Sequence, residues 1–275
     1  MQISPRYDGP VVLDVEYAGE PTVALLRQRR RLADTLSSLT DEQWAAPSRC
    51  EGWTVQGVVS HLVGTDGFWA ISFASALKGE PTRFLGGFDP VATPAQMVDG
   101  MSALTPGDVL AQFVDKVDAL EQVLVDVNAS QWALLAEAPP GHVALRVAAL
   151  HALWDAWTHE RDIVIPLGLT PANEADEMEL VLRYAVGLSP AFYASTESGH
   201  AGTLTVTTTD PALSLLVEAG SSVRVSDGAD PAGAQLSGAC VDLIEALSHR
   251  AEFAQQLPEA DRWLLEGLSR VFDKV

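Results

Sequence analysis

Along the first 195 residues the apolar positions recur with the period of packed helices. A first helix is predicted from Pro21, which suits an opening turn, to Leu39, with Thr40 and Gln43 following as a capping box. Thr54 can cap a second helix running to about Leu77, and Val58, His61, Thr65 and Phe68 share one of its faces. A Gly/Pro-rich connection over 79–94 comes next, long enough to be a functional loop. A third helix is predicted from Thr105 to Val127, with Val109, Phe113, Val117, Leu120 and Leu124 on its apolar stripe. The stretch from His142 to Val164 is apolar almost all the way round, as a core helix would be, and a fifth helix is expected over about Asn173 to Tyr193. Four long helices with one long crossover describe an antiparallel bundle whose interior can hold a metal.

The pattern changes within 195–202. Residues 202–210, 213–220, 222–228 and 234–238 alternate apolar with polar or β-branched side chains and end in Gly or Asp, as strands and hairpins do. Two helices, over about 239–250 and 259–272, should follow. The fold class expected is therefore α+β: a helical bundle over 1–195 and a small antiparallel sheet packed on helices over 196–275.

The chain has 275 residues, 47% of them hydrophobic, enough to build an ample core. Its net charge of −20, from 37 acidic against 17 basic residues, argues against DNA, RNA and anionic membranes as partners. The first residues lack a basic region followed by an apolar run, and no stretch is long and apolar enough to span a bilayer, so a cytoplasmic location is expected. Cys50 and Cys240 are too few for a disulfide framework and read as two reduced thiols. The one basic cluster, Arg27, Arg29, Arg30 and Arg31, reads as a solvated helix face neutralising acidic neighbours.

The candidate chemistry lies on the apolar helices. At about 100° per residue, His151, Asp155, His159 and Asp162 fall within roughly 80° of one another, while Arg146, Glu160 and Arg161 lie on the other side. Asp155 and His159, four apart, meet over successive turns. Burying carboxylates and imidazoles is costly unless something pairs with them, and a divalent metal does so. Nitrogen and oxygen ligands of this kind suit zinc, nickel or iron, and His61 is the best third ligand. Two histidines and one carboxylate leave coordination positions open, as a catalytic site requires. A buried hydrogen-bond network is the alternative, as is, for His61 alone, a core histidine satisfied by a backbone carbonyl.

Two segments carry a resemblance. LTDEQWAAPSRCEGWTVQGVVSHLVG and ALHALWDAWTHERDIVIPLG resemble the two signatures of the mycothiol-dependent maleylpyruvate isomerase family, within the wider DinB-like metalloenzymes. AQLSGACVDLIEALSHR resembles, less specifically, its C-terminal sterol-carrier-like domain. The resemblance implies a DinB-like four-helix bundle with a divalent metal, zinc first and nickel or iron also suited, held at His61, Asp155 and His159. Similar proteins commonly carry Glu where this chain has Asp155, which is shorter by about 1.5 Å of reach. His151 and Asp162 are candidates for orienting a ligand from outside the coordination sphere, helix-surface hydrogen bonds being the plainer alternative.

The implied chemistry is metal-bound mycothiol thiolate attacking an electrophilic small molecule, with thiol transfer or cis–trans isomerisation as the outcome. The partners are then a small-molecule substrate and a thiol cosubstrate. Arg250 and Arg83 are candidates for meeting an anionic group, against a plain surface role for each. The competing reading is a non-catalytic small-molecule binding protein with a vestigial metal site.

Overall fold

The computed structural model describes residues 5–196 and 199–270. A short strand, β1 (Leu13–Val15), precedes α1 (Thr22–Ser37) and the single turn α2 (Asp41–Trp44), where Thr40 and Gln43 form the capping box. Thr54 caps α3 (Val55–Leu77) through the backbone N–H of Gly57. Then come α4 (Ala92–Gly100) and α5 (Pro106–Leu124), the latter with a Thr105–Asp108 capping box. A hairpin of β2 (Leu135–Ala138) and β3 (Gly141–Ala144) leads into α6 (Leu145–Val164), and α7 (Ala175–Thr196) follows.

Helices α1, α5, α3 and α6 form the bundle, each packed on the next and α6 back on α1. Arg29 crosses its interior from α1. Its guanidinium donates to Asp66 Oδ1 on α3 and to the Ala152 carbonyl on α6, with both charged side chains fully buried. This corrects the solvated reading for Arg29, while Arg27 and Arg30 are part-exposed and neutralise acidic neighbours as expected. Arg29 is a core cation, and Arg31 joins α1 to Glu160 on α6 and Glu177 on α7. Helical spacing had placed Glu160 and Arg161 away from the polar stripe; they are nevertheless buried, because α1 and α7 cover that side of α6.

Beyond α7 lie β4 (Gly202–Thr209), β5 (Leu213–Ala219), β6 (Val223–Asp227), β7 (Ala234–Ala239), α8 (Cys240–Leu247) and the single turn α9 (Trp263–Glu266). The sheet order is β1-β6-β5-β4-β7, with β1–β6 and β4–β7 parallel and the other pairs antiparallel. The fold is α+β, a helical bundle followed by a sheet-containing region. The sheet is not built from the C-terminal segment alone, since β1 supplies its edge from residues 13–15, too short a stretch to show a strand period. α7 covers this edge, and a Cβ at Gly187 would meet Leu13 and Val225 side chains at 2.7 and 2.8 Å, so the close approach needs glycine. The helix expected over 239–250 ends at Leu247, and the one over 259–272 is short turns to Arg270, its last two residues lying outside the described ones.

The expected loop after α3 is tied down by Glu137 on β2. Its Oε1 accepts from the Tyr7 hydroxyl at 2.5 Å and the Leu85 N–H at 2.8 Å. Its Oε2 accepts from Thr82 Oγ1 at 2.6 Å and the Phe84 N–H at 2.9 Å. The hairpin turn also touches the N-terminal segment, where a Cβ on Gly141, at φ +130°, would sit 2.1 Å from the Arg6 carbonyl oxygen.

Candidate metal centre

His61 projects from the middle of α3, and Asp155 and His159 from successive turns of the neighbouring α6. His61 Nε2 lies 3.8 Å and His159 Nε2 3.6 Å from Asp155 Oδ1, too long for hydrogen bonds. The two imidazole centroids are 4.8 Å apart, edge to face, and the Trp53 ring lies 5.4 Å from that of His61. One ligand atom from each of the three residues lies within 4.8 Å of the others. Asp155, although one methylene shorter than the glutamate common in similar proteins, reaches both imidazoles.

A tetrahedral zinc centre with bonds of about 2.0–2.1 Å sets its ligand atoms roughly 3.4 Å apart, so the spacing suits a small cation. Two atoms here are buried with no hydrogen-bond partner, His61 Nδ1 and Asp155 Oδ2. An orphaned buried polar atom costs about 1–3 kcal/mol, a debt that a cation between these side chains reduces. The donor set, two neutral-capable imidazoles and one carboxylate, fits zinc, nickel or iron.

Charge at the centre is strongly polarised. Burial works against the Asp155 carboxylate, yet the nearby His61 and His159 imidazoles hold it well below the usual carboxylate range. Burial also opposes charge on His159, but Cys50, Asp162 and Asp155 outweigh it and push that imidazole up to about 10. A metal ion must therefore displace a firmly held proton from His159.

His159 Nδ1 lies 3.0 Å from Asp162 Oδ2, an arrangement in which Nδ1–H donates to the carboxylate while Nε2 faces Asp155. Arg250, just beyond α8, donates to Asp162 Oδ1 at 2.8 Å from Nε and to Oδ2 at 2.7 Å from Nη2. Arg49 adds a third attachment: its backbone N–H donates to the Asp162 carbonyl, and its side chain to Glu245 on α8 and the Arg250 carbonyl. Asp162 is fully buried and, despite that, held well below its ordinary range by His159 and Arg250.

The remaining sequence candidates lie elsewhere. His151 is hydrogen-bonded to the Tyr184 hydroxyl and enclosed by the Trp69 and Trp154 rings, one turn from Asp155 but not bonded to a ligand. Burial depresses its pKa to about 4 and keeps it neutral. Arg83 is exposed, paired with Asp8 at 2.8 Å and set over the Tyr7 ring, beside Glu137. Three participants had no sequence signal of their own. Cys50, read as a reduced thiol, places Sγ 3.3 Å from Asp162 Oδ2 and 3.6 Å from His159 Nδ1; Arg49 and Asp66 were not singled out. The nearest hint was position, since Arg49 and Cys50 lie within the same signature that contains His61.

Residues 25–164 match the family described as the mycothiol maleylpyruvate isomerase N-terminal domain. The chain belongs to that family. Two solved structures of the mycothiol-dependent maleylpyruvate isomerase, one of them a histidine-to-alanine mutant, superpose with TM-scores of 0.59 at 16% identity. The matches cover 84% and 86% of this chain and 88% and 90% of those chains, with the mutant first in each case. YfiT from Bacillus subtilis, described as a probable metal-dependent hydrolase with an unusual four-helix bundle topology, aligns at TM-score 0.46 and 19% identity, over 60% of this chain and 95% of its own. No curated protein matches the chain. Among the described residues no helix is long and apolar enough to cross a membrane.

Proposed function

We propose that this chain is a metal-dependent enzyme that uses a low-molecular-weight thiol, mycothiol, against an electrophilic small molecule, giving thiol transfer or cis–trans isomerisation. The observation that carries the reading is the convergence of His61, Asp155 and His159, with one Asp155 oxygen buried and unpartnered. Family membership supplies the thiol. The ion, with zinc the first choice, supplies when bound the positive charge that lets a thiol lose its proton at neutral pH.

The chain's own residues set the stage for that chemistry. His61, Asp155 and His159 would hold the ion. Asp162 fixes the His159 tautomer, and Arg250 keeps Asp162 ionised and in place, so Arg250 is a positioning residue. Trp53 shields the His61 side from water. Arg83 is the candidate for meeting an anionic group from the loop after α3, because its exposed pairing with Asp8 is worth little and readily exchanged. A thiolate that adds to an electrophilic carbon and stays gives transfer; one that leaves after rotation about the former double bond gives isomerisation. The substrates are small molecules, and the location is the cytoplasm.

Cobalt-substituted protein mixed with mycothiol tests this. A sulfur-to-cobalt charge-transfer band together with thiol-dependent turnover is the expected result. Metal-free protein as isolated, with neither band nor turnover, would favour the non-catalytic binding protein.

A further inference from the structure

Among the described residues a second set could also hold a cation: Cys50, His159 and Asp162. His159 belongs to both sets and offers each a different nitrogen. Its Nε2 faces Asp155, while Nδ1 faces Cys50 Sγ at 3.6 Å and Asp162 Oδ2 at 3.0 Å, with Sγ and Oδ2 3.3 Å apart. A tetrahedral face built from one bond of about 2.3 Å to sulfur and two of about 2.0–2.1 Å to nitrogen and oxygen has edges of roughly 3.3–3.6 Å. These separations come close to that face without rearrangement. We propose that Cys50, His159 Nδ1 and Asp162 form a second, thiolate-containing site for a thiophilic divalent cation such as cadmium or excess zinc.

The pocket is already built for positive charge. The Arg250 guanidinium occupies it, bonded to both Asp162 oxygens and 3.8 Å from Cys50 Sγ. Arg250 also lines a surface cleft of about 420 Å³, with Phe253, Leu257 and Arg262, and a cation bound here would have to turn the guanidinium toward it. Arginine and metal are therefore alternative occupants. Binding releases two protons to solvent, one from the Cys50 thiol and one from His159 Nδ1, and sets Arg250 free. Soft ligands select soft cations, so cadmium competes best and magnesium not at all. Occupancy takes Asp162 away from its hydrogen bond with His159, so the second cation disturbs the first and inhibits.

The test is cadmium titration of the full chain, reading stoichiometry by equilibrium dialysis and sulfur ligation by the ultraviolet sulfur-to-cadmium charge-transfer band. The parent should bind two equivalents, with the band growing only with the weaker one. Cys50→Ser should lose that equivalent and the band but keep the first, which also shows it folds. Asp155→Asn should keep the band while losing the other equivalent. A parent that binds a single equivalent with no sulfur band overturns the second site and leaves the triad standing. Cys50→Ser that still binds two equivalents also overturns it. Failure of the triad would look different: Asp155→Asn and the parent would bind identically.

Discussion

Two inward-facing carboxylates, the fully buried Glu137 and the largely buried Asp155, have opposite surroundings. Glu137 receives four donors, two on each oxygen, from a tyrosine, a threonine and two backbone N–H groups, with no cation among them. Asp155 has one oxygen with no partner and the other held 3.6–3.8 Å from two imidazoles. Buried polar groups are normally satisfied within the fold, and Glu137 follows that rule by pinning the loop after α3 to the hairpin. Asp155 departs from it, as the proposed metal ligand would. The difference between a structural carboxylate and a proposed binding one lies here chiefly in what is left unpaired.

Substitutions can break that contrast. Removing a metal ligand should have the largest effect: His61→Ala, His159→Ala and Asp155→Asn should each lose the ion, with affinity falling more than the roughly 100-fold that outer residues reach. Elemental analysis of the purified variants checks this, and a variant with full occupancy removes its residue from the centre. Glu137→Ala should do the reverse, costing about 3–5 kcal/mol of stability by stranding buried donors, while the folded fraction keeps its ion. Urea unfolding paired with metal analysis separates the two outcomes.

A third expectation concerns acid. Burial holds His151 neutral down to about pH 4, so between roughly pH 6.5 and 4 the unfolded chain binds a proton that the folded chain refuses. Stability should therefore be lost as pH falls through that window, by on the order of 3 kcal/mol in all. His151→Phe should flatten this part of the curve, whatever it does to absolute stability; an unchanged slope would mean His151 titrates normally. The smallest effect is expected outside the coordination sphere. Asp162→Asn should weaken metal binding about 10–100-fold, and Arg250→Ala by the lower end of that range, both measured by competition with a chelator.

The metal-facing residues were legible because they sit on long helices, where spacing alone brings His61 to one face of α3 and aligns Asp155, His159 and Asp162 on α6. Residues brought in by turns were not. Cys50 and Arg49 lie in an irregular segment with no period, and their meeting with Asp162 depends on how that segment returns to the end of α6. Glu137 sits in a four-residue strand, too short for alternation to register. Arg29 was misjudged because a run of arginines looks like a solvated face until a buried partner, Asp66, appears on another helix. The bundle and the strands β4 to β7 were readable from pattern; the three-residue β1 was not, and the expected all-antiparallel sheet is mixed, with β7 parallel to β4 and β1 parallel to β6.

That three-residue strand has a consequence for how the chain is made. Leu13 pairs with Val223 and Val15 with Val225, so this edge of the sheet leaves the ribosome well before its partner β6, with the whole bundle made in between. Closing so long a loop gains contacts late and slowly. Until then Leu13 and Val15, fully buried in the finished protein, have no strand beside them. A nascent chain halted before β6 would carry an unpaired apolar strand edge at its start, the kind of surface that chaperones cover and aggregates recruit.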